Sequence, residues 1–296
     1  MSNVALSPHS QPYILAPLAA HGRSLSFRLK AEADPRAALS RLAREWRPAW
    51  GVVGLGAPLV AALGRSLPGL RPFPALAGAG VTVPSTQQAL WVLLLGEERS
   101  ALFDRAQALQ TWLAGTFELE DGLDTFQYAG GRDLTGYEDG TENPKEEAAV
   151  AAALVPEGAL AASSYVAVQR WSHDLVHFQS HSAPERDNLI GRRQEDNEEL
   201  EDAPESAHVK RSAQESYSPE AFMVRRSMPW ATAREQGLEF IAYGHSLEAF
   251  EQVLTRMVGL EDGVVDGLFR FSRPVTGGYY WCPPLVGEGL DLSAVL

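Results

Sequence analysis

Hydrophobic residues recur along this chain with two alternating periods. In residues 24–30 every second side chain is hydrophobic, which is typical of a half-buried strand. The pattern then changes to a helical one, because Asp34 and Pro35 form a favourable helix start and Leu42 and Trp46 follow on one face. The chain therefore begins with a predicted strand followed by a predicted helix.

The same two patterns continue through the first half and return in the second. In the first half, further strands are predicted at residues 51–55, 89–95 and 125–128, with a short helix at 59–63 and a longer one from Ser100 to Gly115. In the second half, strands are predicted at residues 164–171, 222–226, 238–243 and 268–271, with helices at 172–181 and from Ser246. Each half has the order strand, helix, strand, strand, helix, strand.

This element order predicts an α+β fold made of two ferredoxin-like βαββαβ units with antiparallel sheets. We expect the N-terminal unit to span residues 1–150 and the C-terminal unit residues 151–296, with the boundary near 145–160. The two halves share the order of their elements and no residue-level repeat.

Charge and composition narrow the functional classes. The 296 residues carry 25 Lys and Arg against 38 Asp and Glu, a formal charge of −13 that argues against nucleic-acid binding. The longest strongly apolar run, residues 89–95, is far shorter than the roughly 20 residues that cross a bilayer. Residues 1–11 lack a basic, apolar leader, and Cys282 is a single cysteine, so we expect a cytoplasmic protein without a membrane anchor.

The most informative segment is the glycine-dense loop at residues 130–144, which contains Asp139. On composition alone, ordinary turns explain such a loop equally well. However, the string GYEDGTENP at residues 136–144 resembles the GxxDGTxNP signature of the dye-decolourising peroxidases, a family of haem enzymes. Further blocks occur in the family's order: QRWSHDL at 169–175, IGR at 190–192, AHVKR at 207–211, VRRSMPW at 224–230 and FSRPVTGGYY at 271–280. The compact form is similar to the bacterial B-type branch.

The resemblance implies roles for five residues. His208 takes the place of the proximal ligand to haem b (iron protoporphyrin IX) in the C-terminal unit. Asp139 matches the distal aspartate that acts as general acid and base, and Arg225 matches the distal arginine that stabilises developing negative charge. Ser227 stands where some relatives have an asparagine that orients peroxide. Arg192 is a candidate partner for a haem propionate, although it could equally offset the acidic residues that follow it.

Two choices around these residues depend on geometry. If residues 224–228 form a strand, Arg225 and Arg226 point to opposite faces, so one of them lines the pocket, and the motif favours Arg225. A ligating histidine usually donates its other N–H to an acceptor, and Asp266 or Asp262 could serve His208 in this way.

The function implied by the resemblance is that of a haem peroxidase. Such an enzyme reduces hydrogen peroxide and oxidises dyes, phenolics or similar small organic donors in one-electron steps. Buried aromatic residues could relay electrons from the surface: Trp171, Trp230, Tyr279, Tyr280 and Trp281. The resemblance also implies a homodimer or higher homo-oligomer, and an encapsulin shell as a further partner.

Two other functional classes compete with this hypothesis. A haem-binding or haem-handling protein with little turnover needs His208 but not Asp139 and Arg225 together. A zinc- or copper-binding protein could use His173, His177 and His181, which would lie along one face if residues 172–181 form a helix.

Overall fold

The strands pair as two ferredoxin-like units placed side by side. In the computed structural model, which describes residues 9–78 and 80–296, one antiparallel sheet has the strand order β6-β1-β5-β2-β12-β7-β10-β8. The first-half elements are β1 (His21–Leu29), α1 (Arg36–Glu45), β2 (Gly51–Gly56), α2 (Ala57–Ala62), β3 (Leu76–Gly78), β4 (Val81–Val83), β5 (Leu90–Gly96), α3 (Arg99–Leu113) and β6 (Phe117–Phe126). The order β6-β1-β5-β2 is that of a βαββαβ unit.

The second half repeats this arrangement as β12-β7-β10-β8. Its elements are α4 (Glu146–Ala153), β7 (Ser164–His173), α5 (Leu175–Ser180), α6 (Ala183–Ile190), α7 (His208–Ser212), β8 (Val224–Arg225), β9 (Met228–Ala231), β10 (Gln236–Gly244), α8 (Glu248–Met257), β11 (Ser272–Pro274), β12 (Gly278–Cys282), β13 (Leu285–Val286) and β14 (Gly289–Leu290). Strands β2 and β12 pair directly, so one sheet runs through both units. The predicted α+β fold is confirmed, whereas the domain boundary near 145–160 stays a prediction.

Two cores cover the two faces of this sheet. On one face, α1, α3 and α8 pack their apolar stripes on the strands, with Leu39, Leu109 and Leu254 among the buried residues. On the other face, α4 and the segment around Ile14 cover a second apolar cluster. Strand β6 also contacts β9 near the far edge, so the sheet curls on itself, and we call it the rolled sheet.

Several predicted boundaries are wrong for identifiable reasons. The strand predicted at 125–128 is only the end of β6, which is an edge strand whose acidic residues pair with Arg23 and Arg28 of β1 instead of alternating with hydrophobic ones. Of the segment predicted at 222–226, only Val224–Arg225 forms a strand, β8, and β9 follows separately from Met228. Residues 268–271 lie in a 3-10 turn, because the Asp266 side chain caps it through the backbone N–H of Leu268.

The helix predicted at residues 172–181 is present, but it begins later than expected. Strand β7 continues to His173, and α5 begins only at Leu175, where Asp174 caps it through the backbone N–H of His177. His173 is therefore on a strand and His181 follows the end of the helix, so the three histidines share no helical face. Within the described residues, no group of three or more His, Cys, Asp or Glu is placed to hold a metal ion, which removes the basis of the zinc or copper hypothesis.

Across residues 9–78 and 80–296, no helix combines the length and the apolar character needed to span a membrane.

Cys282 lies fully buried in β12, where burial raises the pKa of its thiol.

Candidate active site

A cavity opens between the C-terminal half of the sheet and helices α7 and α8. Together with the open solvent at its mouth, it contains about 690 Å³ of space that no protein atom fills. Alternate residues of two strands line its sheet side: Gln169, Trp171 and His173 of β7, and Leu238 and Phe240 of β10. Apolar side chains of α8 line its helical side: Phe250, Val253, Leu254 and Met257. The walls are mostly apolar, and a few polar groups enter between them, as is usual for small-molecule sites.

His208 enters this cavity from the first turn of α7, and a buried carboxylate orients it. Its Nδ1 lies 2.8 Å from Oδ2 of Asp266, whose side chain is fully buried. The other oxygen of Asp266 accepts a hydrogen bond of 2.8 Å from the backbone N–H of Leu268. Because a carboxylate can only accept, Nδ1 carries the proton and the lone pair of Nε2 stays available. Of the two acidic partners considered for His208, Asp266 is therefore the one in contact.

The other candidate, Asp262, anchors the same helix through a different residue. Its carboxylate forms two hydrogen bonds, 2.7 and 2.8 Å long, with the buried guanidinium of Arg211, which also donates to the carbonyl oxygen of Arg256 in α8. These hydrogen bonds lower the pKa of Asp262 to about 2. Arg211 thus fixes the helix that carries His208, and nothing in the sequence pattern singled it out beyond its place in the AHVKR block.

Asp139 and Arg225 line the same cavity as His208. Asp139 is held between two turns in which Gly136 and Gly140 have φ values of +89° and +74°. These left-handed φ values strain any residue with a side chain, which explains the glycines around Asp139, and a Cβ would also displace the side-chain ends of Gln194 and Asn143. In the described part of the chain, no hydrogen bond or ion pair engages the Asp139 carboxylate, and the buried Nε of Arg225 has no partner. Both groups are therefore free to interact with a bound molecule.

The asparagine of the loop motif connects these two residues. The Asn143 side chain accepts a hydrogen bond of 2.8 Å from the backbone N–H of Arg225 and donates one of 2.9 Å to its carbonyl oxygen. Asn143 therefore acts like a neighbouring strand at the edge of β8, and it holds the loop of Asp139 against the strand of Arg225. The sequence analysis did not assign this residue a role.

Replacing Asn143 by alanine is expected to lower the free energy of unfolding by about 2 kcal/mol, since each lost hydrogen bond contributes about 1 kcal/mol. Urea unfolding followed by circular dichroism measures this change. Asn188→Ala, at an exposed position of α6, is the matched control and should change stability by no more than about 0.5 kcal/mol. Equal urea midpoints for the two variants would show that the hydrogen bonds between Asn143 and Arg225 contribute nothing to stability.

Arg225 and Arg226 make different contacts, although β8 ends at Arg225 and residues 224–228 do not form the continuous strand on which the predicted alternation depended. Arg226 does not line the apolar cavity, and it donates a hydrogen bond of 2.6 Å to the carbonyl oxygen of Leu15. Burial lowers the pKa of Arg226. A polar pocket next to the apolar cavity is lined by both arginines, Asp139 and Ser227. The Ser227 hydroxyl accepts a long hydrogen bond of 3.4 Å from the backbone N–H of Ile241, and the predicted role of Ser227 with peroxide stays a prediction.

Arg192 lies outside the lining of the apolar cavity. Its guanidinium forms ion pairs with Glu142 at 2.5 Å and Glu199 at 3.3 Å, and it donates to the carbonyl oxygen of Asn197. These contacts correspond to the alternative in which Arg192 offsets nearby acidic residues. Its predicted role as a propionate partner stays a prediction.

A hydrogen-bonded triad that the sequence analysis missed also reaches the cavity. His173 has its Nδ1 2.6 Å from the Ser272 hydroxyl and its Nε2 3.2 Å from Oδ1 of Asp133. Burial by itself would raise the pKa of Asp133, but the hydrogen bond and charge of His173, together with two hydrogen bonds from Thr135, hold it below its ordinary value. His173 and Asp133 therefore tie β7 to the loop that carries Asp139.

Known proteins share both the sequence and the fold of this chain. A family model described as Dyp-type peroxidase, C-terminal, matches residues 130–287. The chain is 34% identical over 222 residues to a dye-decolorizing peroxidase of Rhodococcus erythropolis, covering 72% of this chain and 65% of that protein. It is 32% identical over 269 residues to a dye-decolorizing peroxidase of Mycolicibacterium paratuberculosis, covering 88% of this chain and 72% of that protein.

Two solved structures illustrate the likeness in fold. A dye-decolorizing protein from V. cholerae has 31% identity and a TM-score of 0.83, covering 91% of this chain and 95% of its own. A variant of Rhodococcus jostii DypB in complex with heme has 26% identity and the same TM-score, covering 91% of this chain and 94% of its own. The chain spans 65% of the length of the R. erythropolis protein that it matches. With its loop motif, oriented histidine and matching family model, the chain belongs to the Dyp-type peroxidase family.

Proposed function

We propose that this chain is a haem peroxidase of the B-type branch, which reduces hydrogen peroxide and oxidises small organic donors. The observation that supports this proposal most strongly is the convergence of three groups on one cavity. They are an imidazole oriented by Asp266, a carboxylate at Asp139 and a guanidinium at Arg225. The heme complex of a R. jostii DypB variant supports the choice of cofactor.

The residues around the cavity fit haem b. Neutral imidazole is a common axial ligand, and a carboxylate on its other nitrogen fixes both its orientation and its basicity. The apolar side chains of β10 and α8 suit the flat hydrophobic faces of a porphyrin. The unpartnered Nε of Arg225 and the free carboxylate of Asp139 further indicate that this cavity receives a polar ligand. His208 would hold the iron through Nε2.

Haem, when bound, supplies the electron transfer to peroxide and from organic donors. The chain's own residues supply the proton transfer and the charge. The Asp139 carboxylate accepts the proton of the incoming peroxide and returns it to the departing oxygen, and the mostly apolar walls limit competing proton exchange with water. The Arg225 guanidinium carries a fixed positive charge that stabilises the negative charge developing on peroxide oxygen.

Several wider aspects are part of the proposal. Donors too large for the cavity would pass electrons to the site through aromatic residues. Trp171 is the best placed of these, because it lines the cavity. Its carbonyl oxygen also accepts a hydrogen bond of 3.1 Å from the Trp230 indole N–H. We also propose a homo-oligomer located in the cytoplasm, with an encapsulin shell as its host. The single, buried Cys282 is consistent with a reducing compartment.

A titration with haem followed by a dye-oxidation assay tests the proposed function. We expect the purified chain to bind one haem with a Soret band typical of histidine ligation, and to oxidise a phenolic or anthraquinone donor only when peroxide is present. The second candidate function, haem handling without turnover, predicts the same band and no dye oxidation. An absent Soret band would contradict both candidates.

Replacing Asp266 by asparagine is expected to weaken haem binding by about 10- to 100-fold, because loss of the carboxylate removes the group that orients His208 and raises its basicity. Asparagine retains an acceptor for the backbone N–H of Leu268, so the local turn should persist. Haem titrations of the variant and of Asp202→Asn, an exposed control, measure the effect. Identical affinities for the two variants would remove Asp266 from the proposed site.

A further inference from the structure

The rolled sheet contains a second cavity, on the face opposite the proposed haem site. Side chains alternate along β10, so Glu239 points away from the first cavity, whereas its neighbours Leu238 and Phe240 line it. The second cavity has a volume of about 610 Å³. Inward-facing residues of β1, β6, β7, β10 and β12 line it, as expected for the mouth of a barrel-like sheet.

Glu239 is the deepest charged group in this cavity. The residue is only 4% exposed, and its Oε2 is buried without a hydrogen-bond partner among the described residues. A buried carboxylate oxygen without a partner is costly even when the rest of the group is hydrogen-bonded, so such an oxygen in a native fold is a candidate for binding a ligand. Burial raises the pKa of Glu239 to about 7, with a hydrogen bond from Ser24 and the charge of Arg170 acting in the opposite direction.

The remaining charges of the cavity leave Glu239 uncompensated. Arg170 is held by Asp121 at 2.6 Å, and its guanidinium lies over the Trp230 ring. Glu120, at the rim, pairs with Arg28 at 3.3 Å and is 46% exposed. Three carboxylates and one guanidinium line the cavity, so its electrostatic potential favours a positively charged ligand.

The chemistry of the lining distinguishes between kinds of cation. No group of three or more His, Cys, Asp or Glu among the described residues is placed to hold a metal ion, which argues against a divalent metal. Hydroxyl groups of Ser26, Thr86 and Thr276 can accept hydrogen bonds. Val168 and the ring of Tyr280 offer apolar contact. This combination suits an ammonium head with three N–H donors and a short hydrocarbon tail.

We propose that the second cavity binds a small primary amine, with its ammonium group hydrogen-bonded to Glu239 and its tail against Val168 and Tyr280. The binding of this ligand is independent of haem chemistry, because Glu239 and the proposed catalytic residues lie on opposite faces of the sheet. Binding satisfies the orphaned carboxylate oxygen and neutralises its charge.

Isothermal titration of the haem-loaded protein with butylamine tests the proposal, with butanol as the uncharged probe. We expect butylamine to bind at millimolar concentration and butanol not to bind. Glu239→Gln should weaken butylamine binding by about tenfold or more, the loss typical of a hydrogen bond to a charged group. Glu120→Gln, at the rim of the same cavity, is the matched control and should change the affinity less than about twofold.

Three results of this titration would overturn the proposal. Equal binding of butylamine by wild type and Glu239→Gln would overturn the proposal and indicate general attraction to an acidic surface. Binding of butanol as strongly as butylamine, or no binding of either, would also overturn it. An unchanged Soret spectrum in Glu239→Gln checks that the variant is folded, so failure here is distinguishable from failure of the peroxidase function.

The pH dependence provides a second test. Below about pH 7 a proton competes with the amine for Glu239, while the amine itself stays charged, so the affinity should fall by about tenfold per pH unit towards acid. The charged and titratable groups that face Glu239 are Arg170 of β7, Asp121 of β6, Tyr280 of β12 and Tyr243 of its own strand. A flat profile between pH 5 and 8 would contradict the assignment of Glu239 as the ammonium partner.

Discussion

Replacing Asp139 by asparagine is expected to slow the reaction of the haem-loaded protein with hydrogen peroxide by about 10²- to 10⁴-fold. Asparagine has nearly the same shape but cannot take up the peroxide proton. Because the carboxylate of Asp139 is free of hydrogen bonds and ion pairs among the described residues, the substitution removes no contact that stabilises the fold. Stopped-flow absorption at the Soret band measures the second-order rate constant.

The control for this experiment is Glu147→Gln, which neutralises an exposed carboxylate in the first turn of α4. Its rate constant should equal that of the wild type, so that a general effect of charge is excluded. Dye oxidation at the wild-type rate in both Asp139→Ala and Arg225→Ala would show that the proposed catalytic assignment is wrong.

Replacing His208 by alanine is expected to weaken haem binding by more than about 100-fold and to remove the spectrum of histidine-ligated iron. The ligand itself is lost in this variant, so the effect should exceed the 10- to 100-fold typical of losing an outer partner such as Asp266. The substitution also leaves the Asp266 carboxylate buried without its main partner, at a cost of about 1–3 kcal/mol. Haem titration and the absorption spectrum measure the outcome.

Added imidazole separates loss of ligation from loss of folding, because it can occupy the space of the missing side chain and restore the spectrum in a folded variant. His177→Ala, which removes an exposed histidine of the abandoned metal hypothesis, should leave haem binding unchanged. Retention of haem with unaltered iron ligation in His208→Ala would exclude His208 as the axial ligand.

The spacing of hydrophobic residues predicted the helices and strands that bury one face in a core. Strand β1 and helix α8 each have an apolar face that packs on a core, and both were predicted close to their observed bounds. Strand β6 was placed too late because, at the sheet edge, ion pairs with β1 replace the hydrophobic alternation. The end of β7 was included in the helix predicted at residues 172–181, because a short segment carries too little periodicity to fix where the strand ends and the helix begins.

The candidate site depended on a motif, since contacts between distant residues leave no periodic pattern. His208, Asp139 and Arg225 were named from the family resemblance, and the fold brings all three to one cavity. The hydrogen bonds between Asn143 and Arg225 join residues 82 positions apart, and the only sign of them in the sequence is the asparagine within the motif. The unpartnered oxygen of Glu239 was likewise not predicted, because a single glutamate in a predicted strand resembles any solvent-facing residue.

The most direct test of the central claim is the absorption spectrum of haem-loaded protein before and after one equivalent of hydrogen peroxide. If His208 holds the cofactor while Asp139 and Arg225 receive peroxide, the resting Soret band should change fully with that single equivalent. A one-electron donor should then return it to its starting form. A resting band that stays unchanged with equimolar peroxide would contradict the account.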